Sequence, residues 1–136
     1  MAKYILNSES QTKKIAAKLA REIHGKIFAL TGELGAGKTV FVQGFAKGLG
    51  IKEKIISPTF VLIKEHLIPR SNRIFYHIDL YRIENTAHLG LQDLFSDPDN
   101  IILIEWADKI KNILPENTVK ISITKDSLQK RTIIIS

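Results

Sequence analysis

The residues Gly32-Glu33-Leu34-Gly35-Ala36-Gly37-Lys38-Thr39 match G-x-x-x-x-G-K-[ST] at every fixed position. The residue types explain what such a stretch can do. Glycines at 32, 35 and 37 admit backbone conformations closed to a residue with a Cβ, so successive N–H groups can turn inward on one anion. A helix starting at Lys38 would add its unpaired N–H groups and the positive end of its dipole. Lys38 supplies a point charge for the β and γ phosphates of a nucleotide, and the Thr39 hydroxyl can ligate a magnesium ion bridging the same oxygens. The stretch reads as a phosphate cradle, with Glu33, Leu34, Gly35, Ala36, Gly37, Lys38, Thr39 and Val40 as its candidate contacts.

A phosphate loop of this kind needs a second group on the metal side, usually a carboxylate at the end of a neighbouring apolar strand. Two are on offer. In Ile101-Ile102-Leu103-Ile104-Glu105, four aliphatics deliver an acid at a strand's C-terminal end, where ligands gather in open α/β sheets. In Tyr76-His77-Ile78-Asp79, period-2 alternation puts His77 and Asp79 on one face and Ile74, Ile78 and Leu80 on the other. Either acid could serve, and Glu105 is the cleaner candidate. His77 is a weak zinc candidate because the other histidines, at 24, 66 and 88, are dispersed, and a structural or supporting role is expected of it. Thr59, after Pro58, is suited either to sensing a γ-phosphate from a switch-like loop or to capping a turn. Trp106, the single tryptophan, is expected in the core, at the rim of the site or against a partner.

These groups require particular elements to carry them. Lys26 to Thr31 reads as the strand that runs into the loop. From Lys38 to Leu49 the positions Phe41, Val42, Phe45, Ala46 and Leu49 recur at helical spacing, and Gly50 stands where a left-handed cap is expected. Upstream, residues 3 to 6 form a short edge strand. Ser8 with Gln11 makes a capping box for a helix through about His24, its buried stripe being Thr12, Ile15, Ala16, Leu19, Ala20 and Ile23. Downstream, Ser57-Pro58-Thr59-Phe60 is a polar loop. Phe60 to Leu67 and Arg73 to Leu80 pair as an antiparallel hairpin across the turn at 69 to 72. Thr86 to Phe95 is expected as a short irregular helix, and the unalternating run Ile101 to Ile104 as a central strand covered on both faces. Trp106 to Ile113 reads as a helical turn or two. Thr118 to Thr124 and Thr132 to Ile135 are two further strands around a polar turn. Helices alternating with strands early and hairpins later give an α/β domain with a mixed central sheet flanked by helices.

At 136 residues the chain is expected to be one domain, 1–136. No apolar run approaches the roughly 20 residues of a membrane span, so no membrane association is expected. The N-terminus lacks a secretory pattern, and the cytoplasm is the expected compartment. Zero cysteines exclude disulfides, thiol nucleophiles and thiolate metal sites. Twenty basic residues against 14 acidic ones give +6, which favours nucleotides, RNA or an acidic partner without choosing among them. The basic residues are scattered and read as solvated surface.

Five motifs in order give a resemblance. Gly32 to Thr39, Ser57-Pro58-Thr59-Phe60, His77-Ile78-Asp79-Leu80-Tyr81-Arg82, Leu89-Gly90-Leu91 and Ile104-Glu105-Trp106 follow one another as they do in the TsaE (YjeE) family, which the chain resembles from its N-terminal helix to about residue 115. These are small bacterial ATPases of tRNA threonylcarbamoyladenosine biosynthesis. The resemblance implies a single-domain P-loop fold and a magnesium-dependent ATPase, weak alone, with ATP and Mg2+ as cofactors. It implies work with the TsaD and TsaB proteins, which transfer the threonylcarbamoyl group to adenosine 37 of tRNAs reading codons that begin with A, and only indirect or weak contact with tRNA. Carried over by position, Lys38 would bind phosphate, Thr39 and Glu105 would bind magnesium, and Thr59 would lie in a switch-like loop. Asp79 would orient or activate the attacking water, Trp106 would neighbour the site, and Thr12 would touch the nucleotide base. Glu33 stands where Asp is common.

A small-molecule or nucleotide kinase would use the same loop, but it needs an acceptor pocket and a lid. The chain has little length for a lid, and the region after residue 85 has no arginine cluster. A nucleotide-dependent binding module without turnover is a third reading, against which Asp79 and Glu105 speak.

Overall fold

The computed structural model of the chain describes residues 2–22, 26–33, 35–55, 63–83 and 90–136. Leu34, the loop Ser57-Pro58-Thr59-Phe60 and the expected start of a helix at Thr86 lie outside the described residues. Among the described residues seven strands form one mixed sheet: β1 (Ala2–Leu6), β2 (Ile27–Thr31), β3 (Ile63–Leu67), β4 (Ile74–Asp79), β5 (Asn100–Glu105), β6 (Val119–Lys125) and β7 (Arg131–Ile135). Their order across the sheet is β1-β7-β6-β2-β5-β4-β3. The inner strands β6, β2, β5 and β4 run parallel, whereas β7, β1 and β3 are antiparallel to their neighbours. The expected 60–80 hairpin is present as β3 and β4, and the expected C-terminal pair as β6 and β7.

Residue pattern accounts for where each strand sits. β5 is buried along its whole length and β2 along all but its last residue, as unalternating aliphatics require when both faces of a strand are covered. β6 alternates instead, burying Ile121 and Ile123 while Lys120 and Thr124 are exposed. Helices α1 (Glu9–Glu22) and α2 (Lys38–Gly48) cover one face over a core of Leu19, Phe28, Leu30, Phe41, Phe45, Phe75 and Leu103. The opposite face of β2, β5 and β4 carries Ala29, Ile78, Ile102 and Ile104. It is covered by α3 (Leu91–Ser96) and a 3₁₀ turn at Ala107–Ile110, within the stretch expected to carry a helical turn or two. No helix among the described residues is long and apolar enough to cross a membrane.

The helix ends follow local rules. The Ser8 hydroxyl accepts the Gln11 N–H at 3.2 Å, and Gln11 Oε1 accepts the N–H of Asn7 at 2.7 Å, one residue earlier than in a standard capping box. Gly50 takes φ 90°, and the N–H groups of Gly50 and Ile51 bond back to Lys47 and Ala46, so the expected left-handed cap closes α2.

Helices α1 and α2 approach unusually closely. A Cβ built at Gly44 would lie 2.5 Å from the Lys13 carbonyl oxygen, and one at Gly48 would overlap the carbonyl of Ala17. Two glycines four residues apart leave a flat stripe on α2, against which the backbone of α1 rests.

Candidate functional site

Three parallel strands bring the chemistry to one end of the sheet. β2 leads into the glycine loop, β5 lies beside it with Leu30 opposite Glu105, and β4 lies beside β5 with Asp79 opposite Glu105. The two acids that stand as alternatives in the sequence are therefore register neighbours, both at strand C-termini next to the loop.

The loop has the backbone that its glycines make available. Gly35 and Gly37 adopt φ of 78° and 101°, and Gly37 serves as N-cap of α2, with no side chain bonded to the cap. The N–H groups of the first turn of α2 are thus left without side-chain caps, as an anion site requires. Lys38 is buried at the start of the helix, and its ammonium donates to the carbonyls of Gly32 and Glu33, the latter at 3.0 Å. It also lies 4.3 Å from the centre of the Trp106 ring. Burial pushes the Lys38 pKa down, against the pull of the Glu105, Asp79 and Asp108 charges. Glu33 is exposed, and its backbone carbonyl is the group that accepts from Lys38. Thr39 is half-buried one residue into α2.

Glu105 is buried, and its Oε2 stands 2.5 Å from Nε2 of the fully buried His77. His77 thus lies directly against Glu105 from the neighbouring strand. Asp79 is half-buried, with Oδ1 accepting the N–H of Tyr81 at 2.9 Å. Desolvation raises the Asp79 pKa. The Tyr81 hydrogen bond opposes that rise, Glu105 adds to it, and His77 and Lys38 work against it. Trp106 takes φ 59°, a left-handed conformation rare for a bulky residue, which turns its indole back over Lys38 and against Tyr81 at 4.8 Å between ring centres.

A cleft of about 300 Å³ runs beside the loop, lined by Ser8, Thr12, Gly37, Val40, Leu128 and Arg131. Thr12 and Val40 thus border the same space as the loop, although the Thr12 hydroxyl donates to its own helix at Ser8 O, 3.3 Å away. Thr59 and Leu34 lie outside the described residues.

Arg131 joins the site without any mark in the sequence. Its Nε donates to Ala36 O at 2.9 Å and an Nη to Gly35 O at 3.5 Å, while the other Nη bonds the carbonyls of Ser127, Leu128 and Lys130. One guanidinium thus fastens the glycine loop to the β6–β7 turn. The two ends of this contact are 95 residues apart, and no local pattern announces it.

Among the described residues no group of three His, Cys, Asp or Glu is arranged to hold a metal ion. The donors present are a threonine hydroxyl and one or two carboxylates at a phosphate loop. That set suits a magnesium ion, which keeps several waters and shares phosphate oxygens with its substrate.

The family model described as TsaE, threonylcarbamoyl adenosine biosynthesis protein, matches residues 6–133. A Bacillus subtilis protein named tRNA threonylcarbamoyladenosine biosynthesis protein TsaE is 40% identical over 88% of this chain and 73% of its own length. A Rickettsia conorii protein of the same name is 38% identical over 94% of this chain and 74% of its own. The crystal structure of Bacillus subtilis YdiB superposes with a TM-score of 0.81 at 34% identity, covering 97% of this chain and 82% of that one.

Proposed function

The chain belongs to the TsaE family of threonylcarbamoyl adenosine biosynthesis proteins, and from that membership we propose that it is the magnesium-dependent, ATP-hydrolysing component of tRNA threonylcarbamoyladenosine formation. The observation that carries this reading is the convergence of Lys38, Asp79 and Glu105 at one end of three adjacent parallel strands. A phosphate loop alone fits many reactions. A phosphate loop beside two carboxylates of different environment fits hydrolysis.

In this reading the N–H groups of Gly35 to Val40 hold the phosphates, and Lys38 leaves the Gly32 and Glu33 carbonyls to meet the β and γ oxygens. Mg2+ would be held by the Thr39 hydroxyl and the Glu105 carboxylate; when bound, it neutralises charge developing on the phosphate oxygens. Asp79, with Oδ1 fixed by Tyr81, orients the attacking water and takes its proton as the bond to the γ-phosphoryl group breaks, leaving ADP and inorganic phosphate. Thr12 and Val40 border the base, Trp106 covers Lys38, and Thr59 belongs to a switch-like segment that orders around the nucleotide.

The output is a conformational signal to the TsaD and TsaB proteins in the cytoplasm, with tRNA contacted indirectly or weakly. The test is phosphate release from ATP by the chain alone, with candidate small-molecule acceptors, and with TsaD, TsaB and tRNA, scored beside threonylcarbamoyladenosine formed over many turnovers. Stimulated hydrolysis and modification that require this chain are expected. Rapid phosphorylation of a free metabolite would establish a kinase instead.

A further inference from the structure

Away from the nucleotide site, a cleft of about 730 Å³ opens between α2 and the segment after it, lined by Lys13, Gln43, Lys47, Lys52, Glu53 and Lys54. Three separate parts of the chain bring the four lysines together: α1 contributes Lys13, the last turn of α2 contributes Lys47, and the segment after α2 contributes Lys52 and Lys54. All four are exposed. Among the described residues the only ion-pair geometries are His66 with Glu53 and His77 with Glu105, so no carboxylate pairs with any of these lysines. Among the described residues the cleft's one acid is Glu53, which lies 3.3 Å from the buried His66. Gln43 holds the far wall, its amide donating to Ile55 O at 3.3 Å. Like charges gathered in a concavity repel one another unless an anion enters, and a concave wall concentrates their field.

We propose that this cleft is a binding site for the phosphate backbone of an RNA chain. Three observations favour that occupant. The cleft is far larger than a single phosphate group, so a small anion would meet only part of its charge. Among the described residues its cations are all lysines, point charges without the arginine fork that fixes a single carboxylate or phosphate group bidentately, so the lining suits a row of phosphates met one by one. Among the described residues no aromatic ring lines it to stack a base, so contact would be to backbone phosphate and independent of sequence. The cleft is also distinct from the ATP site. Lys47 lies nine residues beyond Lys38 on the same helix, about 14 Å along its axis.

The experiment measures binding of a short fluorescent oligouridylate to the full chain by anisotropy across a potassium chloride series, in the presence of saturating ATP and magnesium. Four lysine–phosphate contacts on a single strand predict a slope of log K against log salt of about −3, and a dissociation constant between about 1 and 100 micromolar at physiological salt. Lys47→Ala, Lys52→Ala and Lys54→Ala are each expected to flatten the slope by about 1, and the triple Lys→Glu variant to abolish binding. The thermal midpoint and ATP hydrolysis of these variants should match the parent, because none of the three lysines touches the nucleotide site. This outcome is independent of the ATPase reading, since RNA binding can fail while hydrolysis persists, and the reverse. Binding that is unchanged in the lysine variants, or that appears only when ATP and magnesium are left out, would overturn the proposal. So would tighter binding of polyglutamate than of RNA at equal charge, which would assign the cleft to an acidic protein segment.

Discussion

Nε2 of His77 stands 2.5 Å from Oε2 of Glu105, and the other ring nitrogen, Nδ1, is buried with no hydrogen-bond partner among the described residues. This arrangement places the donating N–H on Nε2, because an N–H at Nδ1 would be buried without an acceptor among the described residues. His77 then holds one oxygen of Glu105 and leaves Oε1 for a ligand. His77→Ala should lower stability by about 1–3 kcal/mol, through a buried carboxylate left without its donor. It should also raise the magnesium concentration for half-maximal ATP hydrolysis by at least about tenfold. His77→Gln, which restores an N–H donor, should recover much of the second effect. Denaturant melts and magnesium curves separate the two, and an unaltered magnesium curve in folded His77→Ala would remove His77 from the support of the site.

Asp79 and Glu105 are register partners, yet their surroundings divide their roles. Glu105 is buried against a donor, whereas Asp79 is half-buried, held by Tyr81 and raised in pKa chiefly by desolvation. A carboxylate held less tightly and nearer neutrality is the better proton acceptor. Asp79→Asn is expected to bind ATP as the parent does and to lose hydrolysis by about 10²- to 10⁴-fold. Glu105→Ala should weaken the magnesium dependence of nucleotide binding. Normal hydrolysis by Asp79→Asn in the partner complex would refute its assignment, and an unchanged magnesium curve in Glu105→Ala would transfer the metal role to Asp79.

Much of this site is legible in the amino-acid order alone. The aliphatic run at 101–104 requires a covered strand, which places Glu105 at its end, and the alternation at 76–79 puts His77 and Asp79 on one face. Register is not legible in that way. Nothing local says that β4 lies beside β5 with Asp79 opposite Glu105, because parallel pairing joins segments separated by a crossover. Nor does the sequence disclose that Trp106 adopts a left-handed backbone and meets Lys38, since local preference argues against that conformation and only tertiary packing holds it. Lys13, Lys47, Lys52 and Lys54 read as scattered for the same reason: their convergence depends on how α1 docks on α2.

Gly44 and Gly48 disclose that docking. Glycine inside a helix is destabilising by roughly 1 kcal/mol relative to alanine, so substitution by alanine would be expected to stabilise α2 in isolation. Here the sign reverses. A methyl at either position would meet α1 backbone at Lys13 or Ala17, which cannot rotate aside. Gly44→Ala and Gly48→Ala should each destabilise the protein by about 1–3 kcal/mol through overpacking. Thermal or urea unfolding measures this, and a gain in stability for either variant would show that the helices separate at little cost.

Arg131 makes the most distant contact in the site, reaching from the start of β7 to the carbonyls of Ala36 and Gly35. Its Nε and one Nη serve the glycine loop while the other Nη serves the β6–β7 turn, so the guanidinium works as a bracket between two backbones. A lysine has one donor centre and cannot span both. Arg131→Ala and Arg131→Lys are therefore both expected to loosen the loop, with ATP affinity falling about tenfold and stability by about 1–3 kcal/mol. The bracket acts on the ground-state cradle rather than on the reacting atoms, so hydrolysis at saturating ATP should change much less than the Michaelis constant. Full rescue by lysine would mean that positive charge alone matters, and a fall in saturated rate matching that of Asp79→Asn would place Arg131 in the chemical step.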